Sequence, residues 1–248
     1  EIAKMPLIQY GTFSKYLLEQ YYHLITESQK RAITWIVVTI ELLDTDINYK
    51  LLKNLEQKLK IDDSMLEFLF AMPFFEQTDN GIGMKSIHYK KILLSTVPNI
   101  KKCDVAEFLL RYKDCWNLSE IQTEYKACCF NLMLGNPMDI LEIKGLLTKL
   151  SLQNLSMLKS ELLLLSYQYY DKYEPETLNT LVFLVDYLES ISEKLLYCNG
   201  EIAKLLAKAE EICHWKIKNI NNFDDIDAIY ELQIKIYFLY YNQQKTLF

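Results

Sequence analysis

The sequence predicts an all-α protein made of stacked antiparallel helix pairs, an α-solenoid of the HEAT-like or irregular TPR-like kind with ten or eleven helices. The first supporting observation is composition: half of the 248 residues are apolar, whereas only six are glycine and five are proline. Disordered chains contain less apolar material, and sheet-rich folds use more glycine and proline in their tight turns. The other two observations are evenly spaced helix breakers and apolar stripes with helical spacing.

Helix-breaking residues recur at intervals of 18 to 24 residues through the later part of the chain. Each interval fits one helix of about four turns and a short connection. Taken in pairs, the intervals form repeats of 38, 39 and 47 residues, close to the roughly 40–47 residues of HEAT or armadillo repeats. The breakers are Pro98, Asn117, Asn136, Asn154, Pro175, Asn199 and Asn222.

Apolar side chains between the breakers recur every three or four residues, which places them on one face of an α-helix. Three stripes have this spacing, and each is expected to be the buried face of its helix. They comprise Leu155, Leu158, Leu162, Leu165 and Tyr169; Leu178, Leu181, Val185, Leu188 and Leu195, with a polar interruption at Ser192; and Ile226, Ile229, Leu232, Ile236 and Leu239.

In the first part of the chain, the apolar run from Ala32 to Leu43 predicts a buried helix, with a strand as the alternative because several of its residues are β-branched. It is too short to span a bilayer, so we expect no membrane segment.

Thr78–Met84 holds two glycines and is expected to be a mobile loop. Cap-like residues predict helix starts at Ser64, Asp104, Ser119 and Asn136.

We expect residues 1–248 to form a single helical-repeat domain, with any subdivision near residues 76–86. The chain begins at Glu1 without methionine, which indicates a part of a longer protein.

The chain shows no secretory leader, and none of its cysteines forms a CxxC pair. The six cysteines are therefore expected to be reduced, in an intracellular protein of the cytoplasm or nucleus: Cys103, Cys115, Cys128, Cys129, Cys198 and Cys213.

No motif indicates catalysis or a cofactor. The chain has no glycine-rich phosphate loop, GxSxG or HExxH motif. Glu211 and His214 have the spacing found in di-metal helical bundles, but the second such pair is missing, so a surface or capping histidine is the favoured interpretation. The acidic run from Asp224 to Asp227 is interpreted as a helix start that complements the helix dipole. We expect no enzyme, no metal and no cofactor.

The charge distribution argues against a nucleic-acid partner. The formal net charge is −6, and the basic residues are dispersed along the chain. Because nucleic-acid binding depends on a basic patch or stripe, no direct binding by this segment is expected.

Tyrosine is the unusual component, with 18 residues. Its ring packs against apolar groups while its hydroxyl bonds to a partner or water, which suits a half-buried contact site. Packing at helix–helix seams is the alternative interpretation. The candidate partner-binding residues are Tyr169, Tyr170, Tyr173, Tyr237, Tyr240 and Tyr241.

The segment from Ile40 to Tyr170 resembles the sensor half of peptide-pheromone-responsive transcription regulators of the Rgg type. The similarity lies in SMLEFLFAMPFF (Ser64–Phe75), DILEIKGLLTKL (Asp139–Leu150) and SELLLLSYQYY (Ser160–Tyr170), and it covers about half of the chain. It implies an acidic residue within an aromatic-rich helix, followed by helix pairs around a concave peptide site. The sequence shows no helix-turn-helix, so on this resemblance the DNA-binding domain would lie before Glu1.

Together these patterns predict a non-catalytic interaction module that binds a partner protein or peptide on a concave or groove surface. The alternatives are a peptide-sensing regulatory domain, a constitutive scaffold and a helical enzyme. Formation of oligomers is a further expectation. The surface of the protein distinguishes these alternatives. An open groove would favour peptide binding, a broad apolar patch would favour a scaffold, and a closed polar pocket would favour an enzyme.

Overall fold

The computed structural model describes residues 24–95, 99–191, 200–219 and 225–245, and these are mostly helical. Neighbouring helices pack against each other, so the all-α prediction is confirmed, while the solenoid arrangement stays a prediction. The helices are α1 (Glu27–Leu43), α2 (Tyr49–Leu59), α3 (Asp63–Ala71), α4 (Ile87–Ser95), α5 (Asn99–Arg111), α6 (Glu120–Leu134), α7 (Ile140–Leu152), α8 (Ser156–Tyr173), α9 (Leu178–Ser190), α10 (Gly200–Lys218) and α11 (Ile226–Lys245). Three short strands are β1 (Ile47–Asn48), β2 (Phe75–Thr78) and β3 (Gly81–Met84).

The chain divides into two compact units, and the division falls between Phe130 and Asn131, inside α6. The sequence had suggested one domain, with any subdivision near residues 76–86. Those residues lie within the first unit, because β2 and β3 pair with each other and β3 also pairs with β1.

Helix α1 is the centre of the first unit. It begins with a capping box, in which the side chains and backbone amides of Thr26 and Gln29 bond reciprocally. Its apolar side chains are buried against α4, α5, β1 and β3, and the Trp35 ring meets Phe108 edge to face at 5.7 Å. The prediction of a buried helix over Ala32–Leu43 is confirmed, and the strand alternative is wrong.

The expectation of a mobile loop at Thr78–Met84 is wrong, because these residues belong to an antiparallel hairpin in a sheet of order β1-β3-β2. Its glycines allow close approach of other groups. A Cβ on Gly81 would lie 1.9 Å from the carbonyl oxygen of Ile47, and one on Gly83 would lie 2.5 Å from the Asp46 carboxylate. Glycine is therefore required at position 81 by the pairing of β1 with β3, whereas at position 83 the Asp46 side chain could move aside.

The first unit contains a helix-turn-helix, which the sequence had not indicated. Helices α2 and α3 are separated by three residues, of which Lys60 is left-handed (φ 57°) and Asp62 caps α3 by accepting from the Met65 amide at 2.9 Å. The Ser64 hydroxyl donates to Asp62 and is the largest cause of the lowered pKa of that carboxyl. The cap is thus Asp62, two residues before the predicted start, and the β2–β3 hairpin follows.

The second unit consists of α7 to α11 and the end of α6. Helix α9 packs against α8, α10 and α11, while α7 packs against α8 and α10 against α11. Four predicted breakers lie in helix connections, namely Asn117, Asn136, Asn154 and Pro175, whereas Pro98, Asn199 and Asn222 lie outside the described residues.

The remaining predicted helix starts are only partly right. At Ser119 the capping box forms, since its backbone amide donates to Gln122 Oε1 at 3.1 Å. Asp104 lies inside α5, and α7 is capped by Asp139 instead of Asn136.

The predicted stripes of α9 and α11 are buried apart from Leu178 and Ile226, which are half-buried at the helix starts. Ser192 and Leu195 lie outside the described residues. The stripe of α8 is displaced. Its buried residues are Leu162, Leu163, Ser166, Tyr167 and Tyr170. Leu165 and Tyr169 are only half-buried, because the buried face is centred about one residue further along the helix.

Neither disulfides nor a membrane segment occur in the described part of the chain. Its five cysteines are free, and all but Cys103 are buried, as expected for reduced core thiols. Cys198 lies outside the described residues. Among these residues, no helix combines the length and apolar character that a bilayer crossing requires.

Replacing Leu162 with alanine should lower the free energy of unfolding by about 2–5 kcal/mol, because this side chain is fully buried. The matched replacement of half-buried Leu165 should cost less than half as much. Urea unfolding followed by far-ultraviolet circular dichroism measures both. Equal losses would show that the face assigned to the core of the second unit is wrong.

Candidate partner-binding surface

Helix α11 is apolar on two opposite faces. The inner face packs in the second unit through Ile229, Leu232, Ile236 and Leu239, which are all buried. The outer face carries five large apolar side chains that are 49–69% exposed. These five form the outer stripe: Tyr230, Ile234, Tyr237, Phe238 and Tyr241.

The outer stripe is continuous because its members are spaced by four, three, one and three residues. At 100° per residue, they occupy an arc of about 100° on the helix, over a length of about 16 Å. Each aromatic ring has roughly half of its 150–250 Å² exposed, so the stripe covers on the order of 500 Å². An apolar patch of this size lies at the upper end of what a monomeric protein normally exposes.

The stripe has no charged member, and polar groups lie along its edge. The Gln233 amide donates to the Tyr237 hydroxyl at 3.2 Å, which leaves the ring of Tyr237 facing outward. An apolar centre with hydroxyl groups able to bond at its margin is the composition of a protein–protein contact surface.

Of the predicted tyrosines on α11, Tyr237 and Tyr241 belong to the outer stripe. Tyr240 points toward α10, where its hydroxyl donates to Glu210 Oε2 at 3.0 Å. Desolvation, followed by this hydrogen bond and the negative charge of Glu210, raises the pKa of Tyr240 to about 12. The structure therefore gives Tyr240 a contact that holds α11 against α10.

The predicted tyrosines on α8 have different environments. Tyr170 is buried, and its ring stacks on Phe183 of α9 at 5.2 Å, so it contributes to the core. Tyr169 is half-buried between Tyr170 and Tyr173, with ring centroids 5.3 Å and 4.9 Å away. Tyr173 is half-exposed, and its hydroxyl accepts from Lys172 Nζ at 3.0 Å.

Tyr173 also lies against the connection that precedes α7. A Cβ on Gly135 would be 2.3 Å from the Tyr173 hydroxyl, and Gly135 has a left-handed backbone (φ 76°). Glycine is required at this position both by the backbone conformation and by the contact.

Three members of the outer stripe were missed by the sequence analysis: Tyr230, Ile234 and Phe238. It selected tyrosines that lie close together in the chain, and it assigned only one apolar stripe to each helix. A helical wheel of residues 226–245 shows both stripes on opposite sides, which is the signal that could have found them.

The helix-turn-helix provides a second surface, whose two helices differ in charge. Helix α2 and the turn carry the exposed lysines Lys50, Lys53, Lys58 and Lys60. Helix α3 carries exposed Asp63 and Glu67 and has no lysine or arginine. The β2–β3 hairpin adds exposed Glu76 and Asp79, again without a basic residue. In DNA-binding helix-turn-helix proteins the second helix enters the major groove, where phosphates flank it.

The described residues form no metal site beside these surfaces. In residues 24–95, 99–191, 200–219 and 225–245, no group of three histidine, cysteine or acidic side chains is arranged to hold an ion. Glu211 and His214 lie on an exposed side of α10, and Asp227 lies in the first turn of α11, where it faces the positive end of the helix dipole.

Comparisons of the chain with protein-family models, with curated proteins and with solved structures found no match.

Replacing Tyr240 with phenylalanine should lower the free energy of unfolding at pH 7 by about 1 kcal/mol, because the hydrogen bond to Glu210 is lost. The raised pKa makes this contribution complete below pH 10 and absent once the pH has risen past about 12. Tyr237→Phe is the control and should change stability by less than about 0.5 kcal/mol. Thermal unfolding at pH 7 and about pH 11 measures both variants: the loss from Tyr240→Phe should be smaller at the higher pH. Equal effects of the two variants at pH 7 would contradict the assigned contact.

Proposed function

We propose that the chain is a non-catalytic interaction module that binds a partner protein through the outer stripe of α11. The observation that supports this proposal is an uncharged, largely aromatic face of about 16 Å, on a helix whose opposite face is already buried. An exposed apolar patch of this size on a helix is typical of a surface that a partner covers.

The shape of the stripe favours a helix as the bound element. A straight row of side chains at positions i, i+4, i+7, i+8 and i+11 presents ridges that fit the grooves of a second helix at about 8–10 Å. The partner segment would be amphipathic, with large apolar residues at the same spacing. Tyr237 and Phe238 lie at the centre of the stripe and are the expected energetic hot spot, since aromatic residues surrounded by other contacts carry most binding energy.

The acidic character of α3 and the hairpin supports a function without direct nucleic-acid binding. Carboxylates placed where a DNA-binding helix would meet phosphates are repelled, and the net charge of −6 adds to the repulsion. The intracellular location and the absence of catalysis belong to the same proposal. The peptide-sensing function implied by the resemblance is the second candidate, and the half-exposed Tyr169 and Tyr173 are the observation that favours it.

The outer-stripe variant Ile234→Asp/Phe238→Asp tests the proposal. Affinity purification of the tagged protein from its own host should retain a partner with the unmodified chain and lose it with the variant. We expect at least about a 30-fold loss of affinity for that partner, as is usual for hot-spot residues.

The control is Leu152→Asp/Met157→Asp, which introduces the same charges at two apolar residues that are exposed elsewhere in the second unit. It should retain the partner. Circular dichroism must show that all three proteins fold alike. Equal retention by both variants, or no partner with the unmodified chain, would refute the proposed surface.

Nucleic-acid binding is tested separately. Fluorescence anisotropy of labelled DNA duplexes and RNA hairpins at about 0.1 M salt should show no binding up to micromolar protein. A rise in anisotropy that weakens steeply with added salt would show phosphate contacts and contradict the proposal.

A further inference from the structure

The outer stripe of α11 has nearly the same order of side chains from either end of the helix. A tyrosine stands at each end, Tyr230 and Tyr241. Ile234 follows the first tyrosine by four residues, and Tyr237 precedes the second by four. When two such helices pair antiparallel about a two-fold axis, Tyr230 of one copy meets Tyr241 of the other, and Ile234 meets the rings of Tyr237 and Phe238. Every member of the stripe then contacts an apolar side chain of the second copy.

The charged residues at the two ends of α11 match the same arrangement. Asp227 is exposed in the first turn, and position 245, a lysine in the sequence, is the last residue of the helix. The two positions are eighteen residues apart, which is about five turns, so both lie on the side of the helix that carries the outer stripe. Antiparallel pairing about the centre of the stripe sets position 227 of one copy opposite position 245 of the other, an acidic residue opposite a basic one. Parallel pairing would set like charges opposite each other.

The area of the stripe is sufficient for a dimer. Each copy contributes on the order of 500 Å² of exposed apolar surface, so two copies bury about 1,000 Å², which is the lower limit for a specific interface. The stripe has no charged member, so pairing buries no charge within it. The opposite face of α11 stays buried in its own unit, so a second copy leaves the core unchanged.

We propose that the occupant of the outer stripe is a second copy of this chain, bound through antiparallel two-fold pairing of α11. This inference rests on the proposed function, because it names the partner of the same surface. A second α11 carries large apolar side chains at the matching spacing, so the ridges of each copy fit the grooves of the other. The aromatic rings of both copies meet at the centre of the interface, where they exclude water from one another.

Sedimentation velocity of the full chain over roughly 1–100 µM tests the dimer. We expect a monomer at the low end and a particle of twice its mass at the high end, with a dissociation constant on the order of 1–10 µM, as for an interface of small area. Ile234→Asp/Phe238→Asp should weaken the dimer at least about 100-fold, because each substitution is present twice in the interface. Leu152→Asp/Met157→Asp is the matched control and should dimerise like the unmodified chain.

Charge reversal tests the antiparallel orientation. Asp227→Lys and Lys245→Glu each set like charges opposite one another at both ends of the dimer, so each should weaken it by about three- to tenfold. The double variant Asp227→Lys/Lys245→Glu restores opposite charges and should recover most of the affinity. The helix dipole disfavours both substitutions, so an effect on the helix ends alone would add in the double variant instead of cancelling. Circular dichroism confirms that all variants have the same helix content.

A chain that stays monomeric up to about 100 µM would overturn the inference, since the expected dissociation constant lies well below that concentration. A dimer that persists in Ile234→Asp/Phe238→Asp would also overturn it, because the contact would then lie elsewhere. So would a double charge variant that dimerises no better than the single variants. A monomeric chain that still retains another protein from its host through the outer stripe would leave the proposed function standing, so the two failures are distinguishable.

Discussion

The packing of α9 against three other helices is the interaction on which the second unit depends. The helix packs against α8, α10 and α11. Its side chains Leu181, Leu184 and Val185 are completely buried. The helix is fixed at its start as well, where Thr177 caps it and the Thr180 hydroxyl donates to the Glu174 carbonyl at 2.8 Å. Burial of several such leucine and valine side chains stabilises the unit by far more than its partly exposed ion pairs do.

The outer stripe follows from the position of α9. Its contact with α11 buries one face of that helix and leaves the opposite face outside, which creates the outer stripe. The same contact brings Asp186 and Glu189 of α9 next to Lys235 of α11, so these ion pairs form only while the two helices are packed together. Apolar burial thus determines where the polar groups meet.

The sequence was sufficient to predict features that depend on local periodicity, and it failed where distant contacts decide. The helical class, the connections around Asn154 and Pro175, and the buried face of α11 follow from the spacing of apolar and breaker residues. The hairpin was missed because Gly81 is set by the approach of β1, which lies more than thirty residues earlier. Tyr170 and Tyr240 were grouped with exposed tyrosines because sequence spacing does not reveal which neighbour covers a ring.

Cys213 gives the seam between α10 and α11 a chemical reporter. The thiol is almost fully buried and donates a weak hydrogen bond to the Ile229 carbonyl of α11, at 3.8 Å. Burial, followed by the negative charge of Glu210, raises the pKa of Cys213, so the sulfur is held as the unreactive thiol. A maleimide can label it only when α11 separates from α10, and the rate of alkylation therefore measures how often α11 detaches.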